Sequence, residues 1–169
     1  MPQSAQILTT RKGIGIKVRP VAENDEKNMQ RFFYGLRPED LRFRFLTGMK
    51  EVSAERIHDM THVDHQSTET YIAFIEGDSV PVATAMLATD TKREQGEVAI
   101  SVRADHRAEG IGWELLVFVS RQAAAKGLRV IQSIESRDNH DAIVLEREIG
   151  FKAKPDPDDA RLVILSKAL

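Results

Sequence analysis

The chain has 169 residues, a formal net charge of −2 at pH 7 and no cysteine. That length suits one domain with its own core, and 41% apolar with 30% charged residues is typical of a soluble globular protein. The low net charge disfavours bulk electrostatic binding to nucleic acid or an anionic membrane, and the lack of cysteine excludes disulfides, a thiol nucleophile and a cysteine zinc site. Because no signal-like or membrane-spanning apolar run is seen, we expect a cytoplasmic protein.

Alternation and helical spacing of apolar residues predict the elements of the N-terminal half. Residues 1–13 are polar without clear periodicity, and we expect them to be a loosely ordered leader before a single domain at residues 14–169. Ser53 is typical of a helix N-cap, and a Glu-Gly-Asp-Ser turn indicates a hairpin. The predicted elements are a strand at 14–21, helices after Asn24 or Asp25, after Pro38 and after Ser53, and hairpin strands at 70–75 and 80–89.

Strands and helices alternate in the C-terminal half. Gly127 and Gly150 each follow a helical pattern, where glycine typically ends a helix. No linker, repeat or low-complexity segment is seen, so we expect one α/β domain with a mixed sheet. The predicted elements are a strand at 97–103, a helix at 111–126, a strand at 128–134, a helix capped by Asp138-Asn139, and strands at 151–153 and 162–165.

The segment at residues 102–112 joins a strand to the start of a long helix and carries Gly110 and Gly112. Glycines allow close approach of the backbone to a ligand. The first turn of a helix offers unpaired N–H groups and the positive end of the helix dipole, which together bind phosphate. The segment therefore predicts a pyrophosphate site for a nucleotide-type cofactor, with an ordinary glycine-containing loop as the alternative.

Two runs of residues resemble the GNAT N-acetyltransferases. Arg107-x-x-Gly110-x-Gly112 is similar to their motif A, and residues 139–151, which begin with Asn and end in Gly-Phe, resemble their last helix and the strand after it. The resemblance covers residues 14–169. It implies the GNAT fold, an α/β (α+β) domain with a mixed, mostly antiparallel sheet of six to seven strands flanked by about four helices.

Three further segments resemble the GNAT domains of bacterial Pat-type protein lysine acetyltransferases. These are Leu36-Arg-Pro-Glu-Asp-Leu-Arg-Phe-Arg-Phe, Thr61-His-Val-Asp-His and Pro155-Asp-Pro-Asp-Asp. The resemblance implies an acyl-CoA-dependent N-acyltransferase that moves an acetyl group from acetyl-CoA to a primary amine by direct attack. A protein lysine is the favoured acceptor. A small-molecule amine acetyltransferase and a non-catalytic acyl-CoA-binding sensor or interaction domain are the alternatives.

The resemblance also implies which residues hold acetyl-CoA. The strand backbone binds the pantetheine arm where a local bulge splays the strand from the next one, and the loop and helix start bind the pyrophosphate. Arg107 either closes the turn or reaches a phosphate, and Asn139 either caps its helix or contacts pantetheine. The expected binding residues are Ile100, Ser101, Val102, Arg107, Ala108, Glu109, Gly110, Ile111, Gly112 and Asn139.

Glu97 is the expected general base. It matches the glutamate that serves as base in Pat-like domains, and a protonated lysine must lose its proton before it can attack a thioester. The role requires that Glu97 point into the cleft, although regular alternation places it on the opposite face from Val98, Ile100 and Val102. A solvated carboxylate at the end of a strand is the alternative.

The remaining polar groups are assigned no catalytic role. Many GNAT enzymes carry a tyrosine that protonates the leaving thiolate; the matching residue here is Glu146, which we expect on the helix surface. His58 and His62 have helical spacing but no specified third ligand, so we expect no metal. The basic residues Arg37, Arg42 and Arg44 are interpreted as a solvated helix face, with a site for a CoA phosphate or an acidic substrate as the alternative. Acceptor identity, acyl-chain preference and oligomeric state, a homodimer included, are left open.

Overall fold

The computed structural model describes residues 4–47, 49 and 51–169. Within that part of the chain the five α-helices are α1 Glu26–Tyr34, α2 Pro38–Phe45, α3 Ala54–Thr61, α4 Ile111–Ala125 and α5 His140–Ile149. The eight strands are β1 Gln6–Thr9, β2 Gly15–Pro20, β3 Thr68–Ile75, β4 Ala83–Thr89, β5 Gln95–Val102, β6 Val130–Ser136, β7 Lys152–Pro155 and β8 Leu162–Ala168. Every predicted helix and strand is present, with bounds that differ by a few residues.

All of these strands form one sheet in the order β1-β2-β3-β4-β5-β6-β8-β7. Neighbouring strands are antiparallel except β5 and β6, which run parallel. The mixed, mostly antiparallel sheet of the predicted α/β class is therefore confirmed. The predicted numbers of strands and helices are slightly low, since the described part of the chain contains eight strands and five α-helices.

Strand β1 is not among the elements predicted from the sequence, and it lies within the expected leader. Gln6 pairs with Val18 and Thr9 with Gly15, so residues 6–9 form the edge of the sheet rather than a loosely ordered segment. The four residues are mostly exposed and carry no apolar alternation. Backbone hydrogen bonds to β2 hold the strand at the edge of the sheet, and apolar periodicity in the sequence carries no sign of such pairing.

Helices cover both faces of the sheet. On one face, α4 and α5 pack on a core that includes Leu115 and the ring of Tyr71, whose centroid lies 5.1 Å from that of Phe118. On the other face, α1, α2 and α3 bury a second core around Phe32 and Ile72. The two faces of the sheet therefore pack on two separate cores, and successive side chains of a strand point alternately to one face and to the other.

The parallel contact between β5 and β6 is short. Residues 95–97 pair with residues 130–132, and no later pair joins these two fully described strands. Gly96 lies at this junction, where an added Cβ would be 2.8 Å from Leu87 Cδ1 and 2.9 Å from Leu128 Cδ1. Glycine is required here because the two leucines occupy the space that a side chain would fill.

Beyond the junction β5 and β6 separate. Residues 98–102 of β5 continue to pair with β4, and residues 133–136 of β6 pair with β8. The predicted splay is present, but the predicted bulge is wrong in the ladder with β4: the register runs without interruption from Ala83 opposite Val102 to Thr89 opposite Gly96. The opening lies where β5 pairs with β4 alone and β6 pairs with β8 alone.

Among the described helices, none combines the length and apolar character needed to cross a membrane.

Candidate active site

A cleft of about 760 Å³ occupies the opening between β5 and β6. It extends from the loop before α4 to an inner end, which is formed by side chains of β6 beyond the junction with β5 and by side chains of α5. All ten residues that the sequence predicts for acetyl-CoA line it: Ile100, Ser101, Val102, Arg107, Ala108, Glu109, Gly110, Ile111, Gly112 and Asn139. The structure thus brings together residues from a strand, a loop and two helices.

The mouth of the cleft is the start of α4. Gly110 is its N-cap residue with φ +88°, and Ala108 also has positive φ, at +61°. No side chain forms a capping hydrogen bond there, and the first bond of the helix runs from Glu114 N to Gly110 O over 3.1 Å. The preceding N–H groups of Ile111 and Gly112 therefore remain available to an anion at the positive end of the helix dipole.

Arg107 links this loop to α2. Its guanidinium donates to the buried carboxylate of Asp40, which also accepts a hydrogen bond from Arg37 Nε at 3.1 Å. Arg107 therefore holds the loop against α2. The same contact makes α2 a wall of the cleft, through Asp40 and Phe43.

Two basic residues of the N-terminal segment lie at the mouth of the cleft. Arg11 and Lys12 follow β1 and line the cleft, and the Arg11 guanidinium lies 4.2 Å from the ring centroid of Trp113. The buried Thr10 packs under Gly110, where an added Cβ would come within 3.4 Å of Thr10 Cβ. Sequence reasoning missed these residues because it placed them in the leader.

The inner end of the cleft carries two carboxyl groups. Glu135 of β6 and Glu146 of α5 both line it, and the Ser133 hydroxyl donates to Glu146 Oε1. Glu146 is only 4% exposed, so its predicted place on the helix surface is wrong. Its spacing from Ala142 and Ile149 on the same helical face could have revealed this.

Burial dominates the electrostatics of this pair. Burial raises the pKa of Glu146, although the Ser133 hydrogen bond opposes the effect. Burial also raises the pKa of Glu135, and the charge of Glu146 raises it further. Glu146 Oε2 is buried and has no hydrogen-bond partner among the described residues. Two carboxylates this close in a shielded place favour a state in which they keep a proton.

Asn139 occupies the N-cap position of α5 without acting as a side-chain cap. Its side chain forms no capping bond, and the amide nitrogen instead donates to Glu135 Oε2 at 3.3 Å. The interpretation of this residue as a helix cap is therefore wrong for the side chain. Asn139 lines the cleft from the side of the carboxyl pair.

Glu97 lies outside the cleft lining. Glu97 is paired with Ala88 on β4. Ala99, two residues further along β5, is paired with Met86. Met86 packs against the core of α1, α2 and α3, so Glu97 is on that face, opposite Val98. Its side chain is exposed, and the structure does not place it beside the ten predicted donor-binding residues.

Arg44 connects the two faces at this point. It lines the cleft and also a second cavity of about 510 Å³ on the side of Met86, and it is partly buried rather than on a solvated helix face as expected. Burial and the nearby Arg56 lower its pKa to about 10, while Glu97 and Glu135 oppose that shift. Arg44 stays charged at neutral pH and interacts with a carboxylate on each face.

The second cavity contains both signs of charge. The guanidinium carbons of Arg44 and Arg56 lie 4.8 and 4.9 Å from the ring centroid of Phe45. Asp59 and Asp64 also line the cavity. Asp64 is occupied by its own turn, because it accepts hydrogen bonds from the backbone N–H groups of residues 66 and 68.

The histidine pair of α3 meets a third polar side chain from α1. The Nδ1 atoms of His58 and His62 lie 3.0 and 3.7 Å from Glu26 Oε1. The two rings stack at 3.7 Å, and His62 Nδ1 also lies 2.9 Å from the His58 carbonyl oxygen. The contact ties α1 to α3 on the outer surface, away from the cleft residues.

A mixed sheet that opens between two parallel strands, with an uncapped helix start at the mouth of the opening, suits an N-acyltransferase that takes its acyl group from an acyl-coenzyme A. Residues 31–151 match the model of the acetyltransferase (GNAT) family. The chain therefore belongs to the GNAT family. An acetyltransferase of Pseudomonas aeruginosa is 28% identical over 159 residues, which make up 93% of this chain and 86% of that protein.

Solved structures show the same fold. The GNAT domain of S. lividans PAT superposes with a TM-score of 0.89 at 22% identity and covers 98% of this chain and 97% of its own. An acetyltransferase from Thermus thermophilus reaches 0.73 at 21% identity over 96% and 98% of the two chains. A cAMP-binding acyltransferase from Mycobacterium smegmatis gives 0.66 at 18% identity, with 98% of this chain but 47% of that longer protein covered.

Proposed function

We propose that the protein transfers an acetyl group from acetyl-CoA to a primary amine, with a protein lysine as acceptor and Glu97 as general base. The observation that carries this proposal is the cleft, which joins an uncapped helix start to the open edges of β5 and β6 and is lined by all ten predicted donor-binding residues.

Acetyl-CoA, the donor, would bind along the cleft. The pyrophosphate is held by N–H groups at the start of α4, with Arg11 and Lys12 nearby to neutralise further phosphate charge. The pantetheine arm extends along residues 98–102 of β5, whose inner edge has no partner strand. Backbone amides of that edge form hydrogen bonds to the arm, and an N–H there stabilises the oxyanion that forms when the thioester is attacked.

Glu97 does not point into the donor cleft, as its role was expected to require, so in this proposal the acceptor arrives on the opposite face of β5, where Glu97 lies. The exposed carboxylate can accept a proton from an incoming ammonium group directly or through a water. Because Glu97 is exposed, a lysine side chain of a large protein can reach it. This exposure supports a protein lysine as the acceptor over a small amine that the site would fully enclose. Arg44 lies between Glu97 and the inner end of the cleft, and its positive charge interacts with Glu97.

A coenzyme A release assay tests this function. The protein is incubated with acetyl-CoA and, separately, with free amines, lysine peptides and candidate protein acceptors, while thiol release is recorded. We expect release only with an amine, fastest with a protein lysine. Acetyl-CoA binding by calorimetry without release from any acceptor would instead indicate an acyl-CoA-binding sensor.

Glu97→Gln tests the base. General-base removal costs on the order of 100-fold in kcat, with acetyl-CoA affinity unchanged because Glu97 does not line the cleft. Glu94→Gln is the matched control, since Glu94 is exposed and lies just before the same strand. Turnover by Glu97→Gln equal to that of the control would show that another group takes the proton.

A further inference from the structure

The outer surface of α1 and α3 carries a cluster of three side chains that neither the cleft nor Glu97 uses. His58 and His62 lie one turn apart on α3, and the sequence pattern around them specifies no third metal ligand. Glu26, the first residue of α1, supplies that third group from another helix. Among the residues that the structure describes, this is the one set of three such side chains whose ligand atoms all lie within 4.8 Å of one another.

The two imidazole rings present the same nitrogen to the same carboxylate oxygen. Nδ1 of His58 lies 3.0 Å from Glu26 Oε1, and Nδ1 of His62 lies 3.7 Å from that oxygen. The rings are stacked, with their planes 17° apart, so both nitrogens lie on the side of α1. Two nitrogens and one oxygen from two helices therefore converge on one point at the surface.

The distances in the cluster suit a zinc ion. Zinc lies about 2.0–2.2 Å from imidazole nitrogen and carboxylate oxygen, so neighbouring ligand atoms of a tetrahedral site are about 3.3–3.5 Å apart. The separations of 3.0 and 3.7 Å fall on either side of that range. Two histidines and one glutamate are a known zinc donor set with the fourth position open to water. Calcium and magnesium prefer oxygen ligands alone.

We propose that Glu26, His58 and His62 form a zinc site that joins α1 to α3, with a water molecule as the fourth ligand. Nδ1 of His62 also lies 2.9 Å from the His58 carbonyl oxygen and 3.0 Å from Thr61 Oγ1. Imidazole binds a metal through a lone pair, so on binding the proton of this ring resides on Nε2 and the bond to zinc replaces the contact with the carbonyl. The inference goes beyond acetyl transfer and does not depend on it.

The exposure of the cluster makes it accessible to an ion and to mutation. The side chains of His58, Glu26 and His62 are 58%, 43% and 27% exposed. Zinc can therefore enter from solvent without any opening of the fold. Because none of the three side chains is buried in a core, their replacement should leave the protein folded.

Calorimetric titration of zinc chloride into chelator-treated protein without an affinity tag tests the site. We expect one ion per chain. His58→Gln and Glu26→Gln should each weaken binding by about 10-fold or more, since loss of even an outer-shell partner of a metal costs about 10- to 100-fold. His140→Gln and Glu23→Gln are the matched controls, because both residues are exposed and lie outside the cluster; both variants should bind as the wild type does. Absence of zinc binding, or equal affinity in the wild type and His58→Gln, would overturn the proposal.

Cobalt(II) tests the geometry of the site. Four-coordinate cobalt absorbs visible light far more strongly than the six-coordinate hydrated ion. One equivalent of cobalt should give the strong four-coordinate spectrum with wild-type protein and with His140→Gln, and zinc should then remove it. A spectrum like that of the hydrated ion, or a strong spectrum that persists in His58→Gln, would refute the assigned ligands.

Thermal unfolding tests the link between α1 and α3. An ion that binds only the folded protein stabilises it, so excess zinc should raise the Tm of the wild type and of His140→Gln but not that of His58→Gln. An equal rise in His58→Gln would place the ion elsewhere and overturn the site. These three measurements need no turnover, so their outcome is separate from that of the coenzyme A release assay.

Discussion

Replacement of Gly110 by aspartate should weaken coenzyme A binding about 30-fold. Gly110 is the N-cap of α4 with φ +88°, and no side chain caps the helix. An aspartate there adds a negative charge beside the N–H groups that we assign to the pyrophosphate. It can also cap them with its own carboxylate, since aspartate is a favoured N-cap residue.

The magnitude follows from charge and distance. Two unit charges about 5 Å apart interact by about 3 kcal/mol at an effective dielectric constant of about 20. Salt and the open mouth of the cleft reduce this to about 2 kcal/mol, which is a factor of about 30 in affinity. Left-handed backbone at a residue other than glycine adds about 1 kcal/mol of instability to the folded protein.

Gly127→Asp is the matched control. Gly127 follows the other end of α4 with φ +83° and has nothing within 4 Å of an added Cβ. Both variants place a residue other than glycine in left-handed backbone, whereas only the Gly110 variant should lose affinity when coenzyme A is titrated by calorimetry. A folded Gly110→Asp with wild-type affinity, or an equal loss in Gly127→Asp, would refute the assignment of the pyrophosphate to this helix start.

Two further predictions concern stability. Gly96→Val should lower the free energy of unfolding by about 2 kcal/mol in urea titrations, because the new side chain overlaps Leu87 and Leu128 in a packed core; unchanged stability would show that the junction can widen. Against the effect of burial, hydrogen bonds led by that from Arg19 lower the pKa of Asp25 from 3.8 to about 2. Asp25→Asn should therefore cost about 1–2 kcal/mol at neutral pH after solvent screening. Because the folded pKa is the lower one, the difference from wild type should be constant above about pH 5, shrink as pH falls through 4 and be lost as pH falls through 2; an undiminished difference at about pH 2 would contradict this.

The residues that line the mouth of the cleft were predictable from sequence because their signals are local. The strand, the glycines at 110 and 112 and the helix behind them are contiguous in the chain, and each has its own pattern. The donor contacts that we propose there are mostly with backbone groups, so they depend on the loop and little on side-chain identity. The same locality explains why the helix and strand bounds are close to those observed.

The other features depend on which segments meet in space. Glu146 shares a helical face with Ala142 and Ile149, which is a local sign of burial, but its hydrogen-bond partner Ser133 comes from β6 and cannot be inferred from the helix alone. Arg44 lies in a charged stretch that is typical of a solvated face, yet it is enclosed between two cavities. Strand β1 has too few residues and too little periodicity to be detected before its partner is known.

The three-residue contact between β5 and β6 also has a consequence for how the chain folds. This contact, called the seam below, joins two antiparallel units. One unit consists of strands β1 to β5, and the other consists of strands β6, β8 and β7. Most pairings inside each unit join strands that are near in sequence, which favours rapid formation. The seam instead must close a loop of about 30 residues that contains α4, and that closure carries an entropic cost. The cleft therefore comes into existence only when the two units join, so a chain with either unit formed alone lacks it.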